Sequence, residues 1–277
     1  MRVITRRRLG VIAAATALLA SAACGGDGGA EVEGIQIVEA DKLTVCTHLP
    51  YAPFQDRDPK DPNKIVGFDV DLLDLLAKDL GLQQKVVNLG EWTQVTSGAA
   101  FKANRCDVGM GAMTITPERA KALTISDPYF DATQVLVVKK GAPYKSLEDL
   151  AGKRVGVQAD TTGQAYVQEQ AKKIEGLQPI KFDDLALQLN AVKAGSVDAA
   201  VSDNGPVLNF VKNNPDTQVV ATFQTDEKYG FPAAKDENGQ RLIDRLNAVL
   251  AEAKKDGTYD KIYEKWFGVK PGEELSS

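Results

Sequence analysis

Histidine is nearly absent: His48 is the only one in 277 residues, and cysteine occurs three times. Those cysteines fall in no ligand spacing, so a metal site of imidazole and thiolate is not expected. Two more absences remove common enzyme classes, since there is no Gly-x-Ser-x-Gly elbow and no Walker-type phosphate loop. His48 and Glu91 are the nearest approach to an acid–base pair, and among 38 acidic residues such a pairing arises by chance. Past residue 23 no apolar run is long enough to span a membrane. Positive charge is scarce as well. The chain carries −5 overall, and its first 23 residues hold four arginines and no acid, which leaves −9 on the rest. That balance suits neither nucleic acid nor an anionic membrane surface. What is present is ordinary for a folded protein: 43% hydrophobic and 26% charged residues, with 24 glycines and 12 prolines. Such a composition excludes collagen, coiled coil and wholesale disorder. The length suits one large domain or two lobes.

The opening MRVITRRRLGVIAAATALLASAAC has the parts of an export signal: a basic start, an uncharged run from Leu9, and small residues before Cys24. Leu19-Ala20-Ser21-Ala22-Ala23-Cys24 resembles the lipobox of bacterial lipoproteins, with Ser21 where leucine is preferred. Residues 1–23 are therefore expected to be a signal peptide, with Cys24 as the acylated first residue of the mature chain. Thr5-Arg6-Arg7-Arg8-Leu9 also loosely resembles a twin-arginine signal. The glycine-rich, acidic stretch through residue 41 is expected to be a flexible tether over 24–41, placing the body on the outer face of a membrane. Cys46 and Cys106 form an even pair in an exported chain, where disulfides persist. A disulfide is expected, two buried free thiols being the alternative.

From residue 42 short apolar runs alternate with amphipathic ones. Strands are expected over 43–47, 84–89 and from 107, with helices over 68–80 and 93–103. The order β-α-β-α-β favours a parallel sheet covered by helices. The pattern restarts after Pro128, with strands over 133–139, 154–158, at 180, over 199–202 and near 218–221, and helices over 163–173, 185–194 and 206–211. A short helix is expected to end at Leu150, capped by Ser146. The apolar positions of two terminal helices, 241–254 and 259–266, need a surface to cover. Nothing follows them, so they are expected to return to the first lobe.

Parallel sheets bind ligands beyond the carboxyl ends of their strands. One such end is Gly109-Met110-Gly111-Ala112-Met113-Thr114-Ile115-Thr116-Pro117-Glu118-Arg119. Thr116 reads as a helix cap and Pro117 as a first-turn residue. Exposed N–H groups, the Thr114 hydroxyl and the Arg119 guanidinium suit a carboxylate; an ordinary surface arginine is the alternative. Gln158-Ala159-Asp160-Thr161-Thr162-Gly163 repeats the arrangement in the second half, as an anion site or as routine capping. Asp203 ends another strand, to pair with an ammonium or to cap the next helix. Tyr51, Phe54 and Trp92 can enclose an apolar stem or simply pack in the core. Two anion sites favour a charged small molecule over a carbohydrate.

The stretch from Gly111 to Arg119, with Pro50-Tyr51-Ala52-Pro53-Phe54, Gly67-Phe68-Asp69-Val70-Asp71, Ile125-Ser126-Asp127-Pro128-Tyr129-Phe130, Asp256-Gly257-Thr258-Tyr259 and Lys265-Trp266-Phe267-Gly268, resembles the extracellular solute-binding proteins of bacterial amino-acid importers. Those importers are driven by an ATP-binding cassette, and the resemblance spans 42–268. It implies an α/β, two-lobed periplasmic-binding-protein-like fold of type II, each lobe a mostly parallel sheet flanked by helices. Lobe one comprises 42–132 plus 229–277 and lobe two 133–228, joined by crossings near 131–134 and 225–230. By the same resemblance Arg119, Thr114 and the Thr162 N–H hold a ligand carboxylate, while Asp203 and the Ala112 carbonyl take the α-ammonium. Tyr51 and Trp92 enclose the side chain, and Gln158 and His48 tune selectivity. The implied protein is a monomer without cofactor. It binds a free polar amino acid, glutamine or glutamate slightly ahead of arginine or lysine, and delivers it to permease subunits. A sensory binding protein, or a dehydratase or lyase of the same fold, is the alternative. The family often has glycine at the position of Asp160, which here either meets a cationic side chain or shapes the turn. The acidic segment 56–61 is a rim or a solvated insertion.

Overall fold

The computed structural model describes residues 29–273 and 275. The expected signal, Cys24 and the first part of the tether lie outside the described residues. The second part of that expectation is corrected. Strands β1 (Ala30–Val32) and β2 (Ile35–Ile37) form an antiparallel hairpin, and Ile35 and Ile37 are buried. The Asp107 carboxylate also accepts from the Val38 N–H at 2.7 Å. Alternation puts both isoleucines on one strand face, a signal masked by the surrounding glycine and acid.

Next in the chain come β3 (Lys42–Thr47), β4 (Asp56–Asp58), β5 (Asp61–Val66), α1 (Phe68–Asp79) and β6 (Gln83–Asn88). The acidic segment after Gln55 is a surface hairpin of β4 and β5. Helix α1 buries Phe68, Leu72, Leu73 and Leu76 along one stripe. The single helix expected over 93–103 is two short ones, α2 (Thr93–Thr96) and α3 (Ala99–Lys102), because Gly98 between them is left-handed at φ 77°. Then follow β7 (Val108–Gly109), α4 (Pro117–Ala122) and β8 (Leu123–Ile125).

Strand β9 (Phe130–Lys139) crosses into the second lobe, built from β10 (Arg154–Gln158), α5 (Thr162–Ala171), β11 (Gln178–Phe182), α6 (Leu185–Ala194), β12 (Ala199–Asp203) and α7 (Asn204–Asn213). The helix expected to be capped by Ser146 is a 3-10 turn, Glu148–Leu150, whose approach is tied by the Asp149 carboxylate to the Lys145 and Ser146 N–H groups. Strand β13 (Thr217–Tyr229), far longer than the expected 218–221, returns to the first lobe. There β14 (Pro232–Ala234), α8 (Glu237–Lys255) and α9 (Thr258–Phe267) end the fold.

The two five-stranded sheets run β6-β3-β7-β14-β8 and β11-β10-β12-β9-β13. Each is parallel through its first three strands. Beyond them the pairing is antiparallel: β14 runs against β7 and β8 in the first lobe, and β9, which enters the second lobe, runs against β12 and the returning β13. The sheets are thus mixed rather than mostly parallel. Helices α8 and α9 pack on α1, with Leu242, Ile243, Leu246 and Leu250 buried.

The lobe-one ends of both crossings are fixed by aromatic packing. Phe130 stacks on Tyr229 at 5.4 Å, and Phe54 stands edge-on to them at 5.0 and 5.4 Å. Phe54 is fully buried there and is a core residue, not a ligand platform.

Cys46 on β3 and Cys106 before β7 are joined, with Cα atoms 5.6 Å apart and a separation of 60 positions in sequence. Closing so long a loop restricts the unfolded chain. The Cys46→Ala/Cys106→Ala protein is therefore expected to lose about 2–4 kcal/mol in urea unfolding. An unchanged midpoint would show that the bond adds no stability.

Candidate ligand-binding cleft

The carboxyl ends of β3, β7, β10 and β12 point at one another across the gap between lobes. They line one narrow cleft between the lobes. All nine residues singled out in the sequence, His48, Tyr51, Trp92, Ala112, Thr114, Arg119, Gln158, Thr162 and Asp203, line it, joined by Gln55, Gly111 and Thr161. Glu91 lines a separate depression outside, with Asp160, Lys181 and Asp183.

Asp203 sits at the end of β12 and makes no capping bond to α7, which removes the alternative of a simple helix cap. Its carboxylate faces inward and accepts from the Tyr51 hydroxyl at 2.8 Å, from the Tyr229 hydroxyl and from the Gln134 amide. Burial, and then the nearby Glu227 carboxylate, push it up to about 6. It stays charged at neutral pH and can receive an ammonium.

Arg119 enters from the other lobe. Thr116 caps α4 by accepting from the Arg119 N–H at 3.2 Å, which sets the arginine on the first turn. The guanidinium donates to the Thr114 carbonyl at 2.8 Å and, across the gap, to the Asp160 carbonyl at 3.0 Å. Burial lowers its pKa, while Asp203 and Glu227 oppose that shift. Neither of those carboxylates forms an ion pair with it among the described residues, so it can still grip a ligand anion. Asp160 has φ 60°, a backbone that glycine adopts freely and aspartate tolerates. Turn shape accounts for this residue. Across from Arg119, Thr161 caps α5 by accepting from Gln164 at 3.1 Å, so Thr162 is the first helical residue. The first-turn N–H groups of that helix have no carbonyl partner within it, a geometry that suits an anion.

Tyr51 and Trp92 both line the cavity and each exposes only 8% of its surface. Burial lowers the pKa of His48, partly offset by Asp184 and Asp183, so its ring is neutral at pH 7.

Residues 43–269 match the bacterial extracellular solute-binding proteins, family 3. The chain belongs to that family. The arginine-binding protein 1 of an Escherichia coli K12 ABC transporter is 32% identical over 231 residues, 82% of this chain and 91% of that protein. The ABC transporter glutamine-binding protein GlnH of Bacillus subtilis is 33% identical over 238 residues, covering 86% of this chain and 85% of its own. An ancestral arginine-binding protein bound to arginine has the same two-lobed, type II fold. It matches with a TM-score of 0.76 and 42% identity over 82% of this chain and 99% of that one. The chain described here is accordingly a solute-binding protein.

Three polar residues of this solute-binding protein escaped the sequence reading. Glu227 accepts from the Thr114 hydroxyl at 2.7 Å, the Thr162 hydroxyl at 2.9 Å and the Gln134 amide at 3.0 Å, so it touches both lobes and one crossing. Gln134, on the other crossing, ties Glu227 to Asp203. Asp69, on the first turn of α1, accepts from the Gly111 and Ala112 N–H groups at 3.1 and 2.9 Å and from Tyr129 at 2.8 Å. It thereby holds the turn at Gly111 and Ala112, two residues that line the cleft, with Ala112 at φ 49°. Burial pushes Asp69 up to about 7, against the pull of those three hydrogen bonds.

Proposed function

We propose that this protein is a lipid-anchored, monomeric receptor outside the cytoplasm that closes on one polar amino acid, arginine foremost, and hands it to an ATP-binding-cassette importer. The observation that carries this reading is the placing of Arg119 and Asp203 across one small cavity. An α-carboxylate fits the first and an α-ammonium the second, with the Thr162 N–H and Ala112 carbonyl completing each end. Contacts from both lobes make the closed form the better binder, so ligand shifts the population toward closure.

Arginine moves ahead of glutamine and glutamate on electrostatic grounds. Arg119 is the only cation lining the cavity among the described residues, and the ligand carboxylate occupies it. A glutamate side chain would find no counter-charge. A cationic one meets the negative potential of Glu227, left over once Arg119 and Asp203 have paired with the ligand's α-groups. The arginine- and glutamine-binding relatives support the same short list. Acylation of Cys24 supplies the anchor, on the strength of the lipobox-like stretch.

The test is a thermal-shift screen of refolded protein against the twenty amino acids. Arginine at a hundredfold excess over Kd is expected to raise Tm by about 5–10 °C, more than any other. A response to glutamate alone would overturn the assignment of the side chain. Silence across all twenty would overturn the receptor itself.

A further inference from the structure

Residues 89–106 connect β6 to β7 and carry Trp92, which lines both the cleft and the depression outside it. They contain no long element. Helices α2 and α3 have four residues each, too few to be stable alone. Polar side chains do not attach the segment to the body either. Arg105 donates to Gln94 at 2.6 Å, and Thr96 and Ser97 turn back on the Thr93 carbonyl, all within the segment. Among the described residues none of its side chains hydrogen-bonds, or pairs in charge, with a residue outside it.

Both ends of the segment meet the same strand, β3. The Leu89 N–H donates to the Thr47 carbonyl at 2.7 Å, and just past the other end the Asp107 N–H donates to the Thr44 carbonyl at 2.9 Å. Between these points lies the Cys46–Cys106 bond, the one side-chain bond from the segment to the body among the described residues. Two glycines leave room for the segment to lie flat. A Cβ at Gly109 on β7 would stand 3.0 Å from Val95 and 3.1 Å from Phe101. One at Gly111 would stand 2.5 Å from the Trp92 ring and 3.5 Å from the Gln55 amide nitrogen. Cys46, Cys106, Trp92, Val95 and Phe101 share one buried cluster, separate from the two larger cores.

Apolar packing holds such a segment down without fixing its position, because it is not directional. A covalent bond with defined geometry does fix it. Once that bond is gone, a ligand has to order the wall as it binds, a cost that a cross-link removes in advance. We propose that Cys46 and Cys106 are a positioning pair for the binding site. Their bond holds Trp92 against Gly111 as a ready-made wall between the cleft and the depression outside, and so sets ligand affinity as well as stability. This inference deepens the receptor reading above and rests on it.

The chain has two tryptophans, so Trp266→Phe leaves Trp92 alone and its fluorescence reports on the wall. In that background the bonded protein is compared with Cys46→Ala/Cys106→Ala, well below the unfolding midpoint of either. Affinity for arginine or glutamine, whichever binds, is expected to fall about tenfold in the variant. Acrylamide is expected to quench ligand-free Trp92 about twofold more strongly. A bond that serves stability alone lowers the unfolding midpoint and moves neither reading in the folded protein, and that result would overturn the proposal. Affinity lost with quenching unchanged would overturn it too, as would quenching raised with affinity intact. If the variant does not fold, dithiothreitol breaks the same bond in the folded Trp266→Phe protein, with the freed thiols counted, and the same two readings decide. A bonded protein that binds neither amino acid defeats the receptor reading and the affinity claim with it, while Trp92 quenching still decides whether the bond holds the wall.

Discussion

Asp203→Asn is expected to weaken amino-acid binding by about 30- to 1,000-fold, or roughly 2–4 kcal/mol. A ligand ammonium drawn into the cleft loses its hydration, and Asp203 is the buried carboxylate placed at a strand end to replace it. Without that charge the ammonium is left facing two phenols and the Gln134 amide. Glu227 is nearby but engaged with Thr114, Thr162 and Gln134, which keeps the loss from being total. The same charge makes binding pH-dependent. Asp203 is pushed up to about 6 by burial and by Glu227, and only its ionised form holds the ligand. Affinity should therefore fall as pH drops through about 6, approaching a tenfold loss per unit, and the variant should lack most of that slope.

Stability without ligand should move the other way. Asp203, Asp107 and Asp69, at about 6, 6 and 7, all lie above the ordinary carboxylate value of 3.8. Burial is the first cause in each. The folded protein then binds these protons more tightly than the unfolded chain does. The stability they contribute is present near pH 4 and is lost as pH rises through 6 to 7. Unfolding midpoints that rise from pH 8 to pH 5, together with falling affinity, are the expected pair. Affinity that is flat from pH 8 to pH 5 would remove Asp203 from the site.

Arg119→Ala is expected to weaken binding by about tenfold to a hundredfold, or 1.4–2.8 kcal/mol. A guanidinium pairs with both oxygens of a carboxylate, a match that lysine or a hydroxyl does not reproduce. The first-turn N–H groups of α5 remain in the variant, so the anion end is weakened and not abolished. Arg119 also reaches the Asp160 carbonyl on the other lobe at 3.0 Å, and its loss removes one tie across the gap. Calorimetry should show the lost affinity, with Tm of the ligand-free variant little changed. Unchanged affinity in a folded variant would refute the carboxylate assignment.

Much of this site was legible because its residues follow strand ends. Gly111 to Arg119, Gln158 to Thr162 and Asp203 each stand where an apolar run gives way to small polar residues, and parallel topology gathers such points. Periodicity also gave α6 its full extent, Leu185–Ala194, and the whole of α1 with one residue beyond its end. Glu227 was hidden for a different reason. It lies on the crossing strand β13, which contains register shifts between Val219 and Ala221 and again between Phe223 and Glu227, with Asp226 at φ 48°. Those irregularities broke the pattern after residue 221. The surviving signal is the alternation of Thr225, Glu227 and Tyr229 on one face. Asp69 was hidden because its burial depends on what meets the start of α1. Helical spacing cannot report that the turn at Gly111 and Ala112 docks there. Gln55 gave no signal either, since the space around it exists only through Gly111 and Trp92, remote in sequence.

The central claim is that Arg119 and Asp203 grip the α-carboxylate and α-ammonium of an amino acid. Calorimetric titration of refolded protein with arginine and with agmatine tests it most directly, because agmatine keeps the guanidinium and stem and lacks the carboxylate. Saturable one-site binding of arginine, with agmatine weaker by about a hundredfold or more, is the predicted result. Equal binding of the two, or heat from agmatine alone, would contradict it.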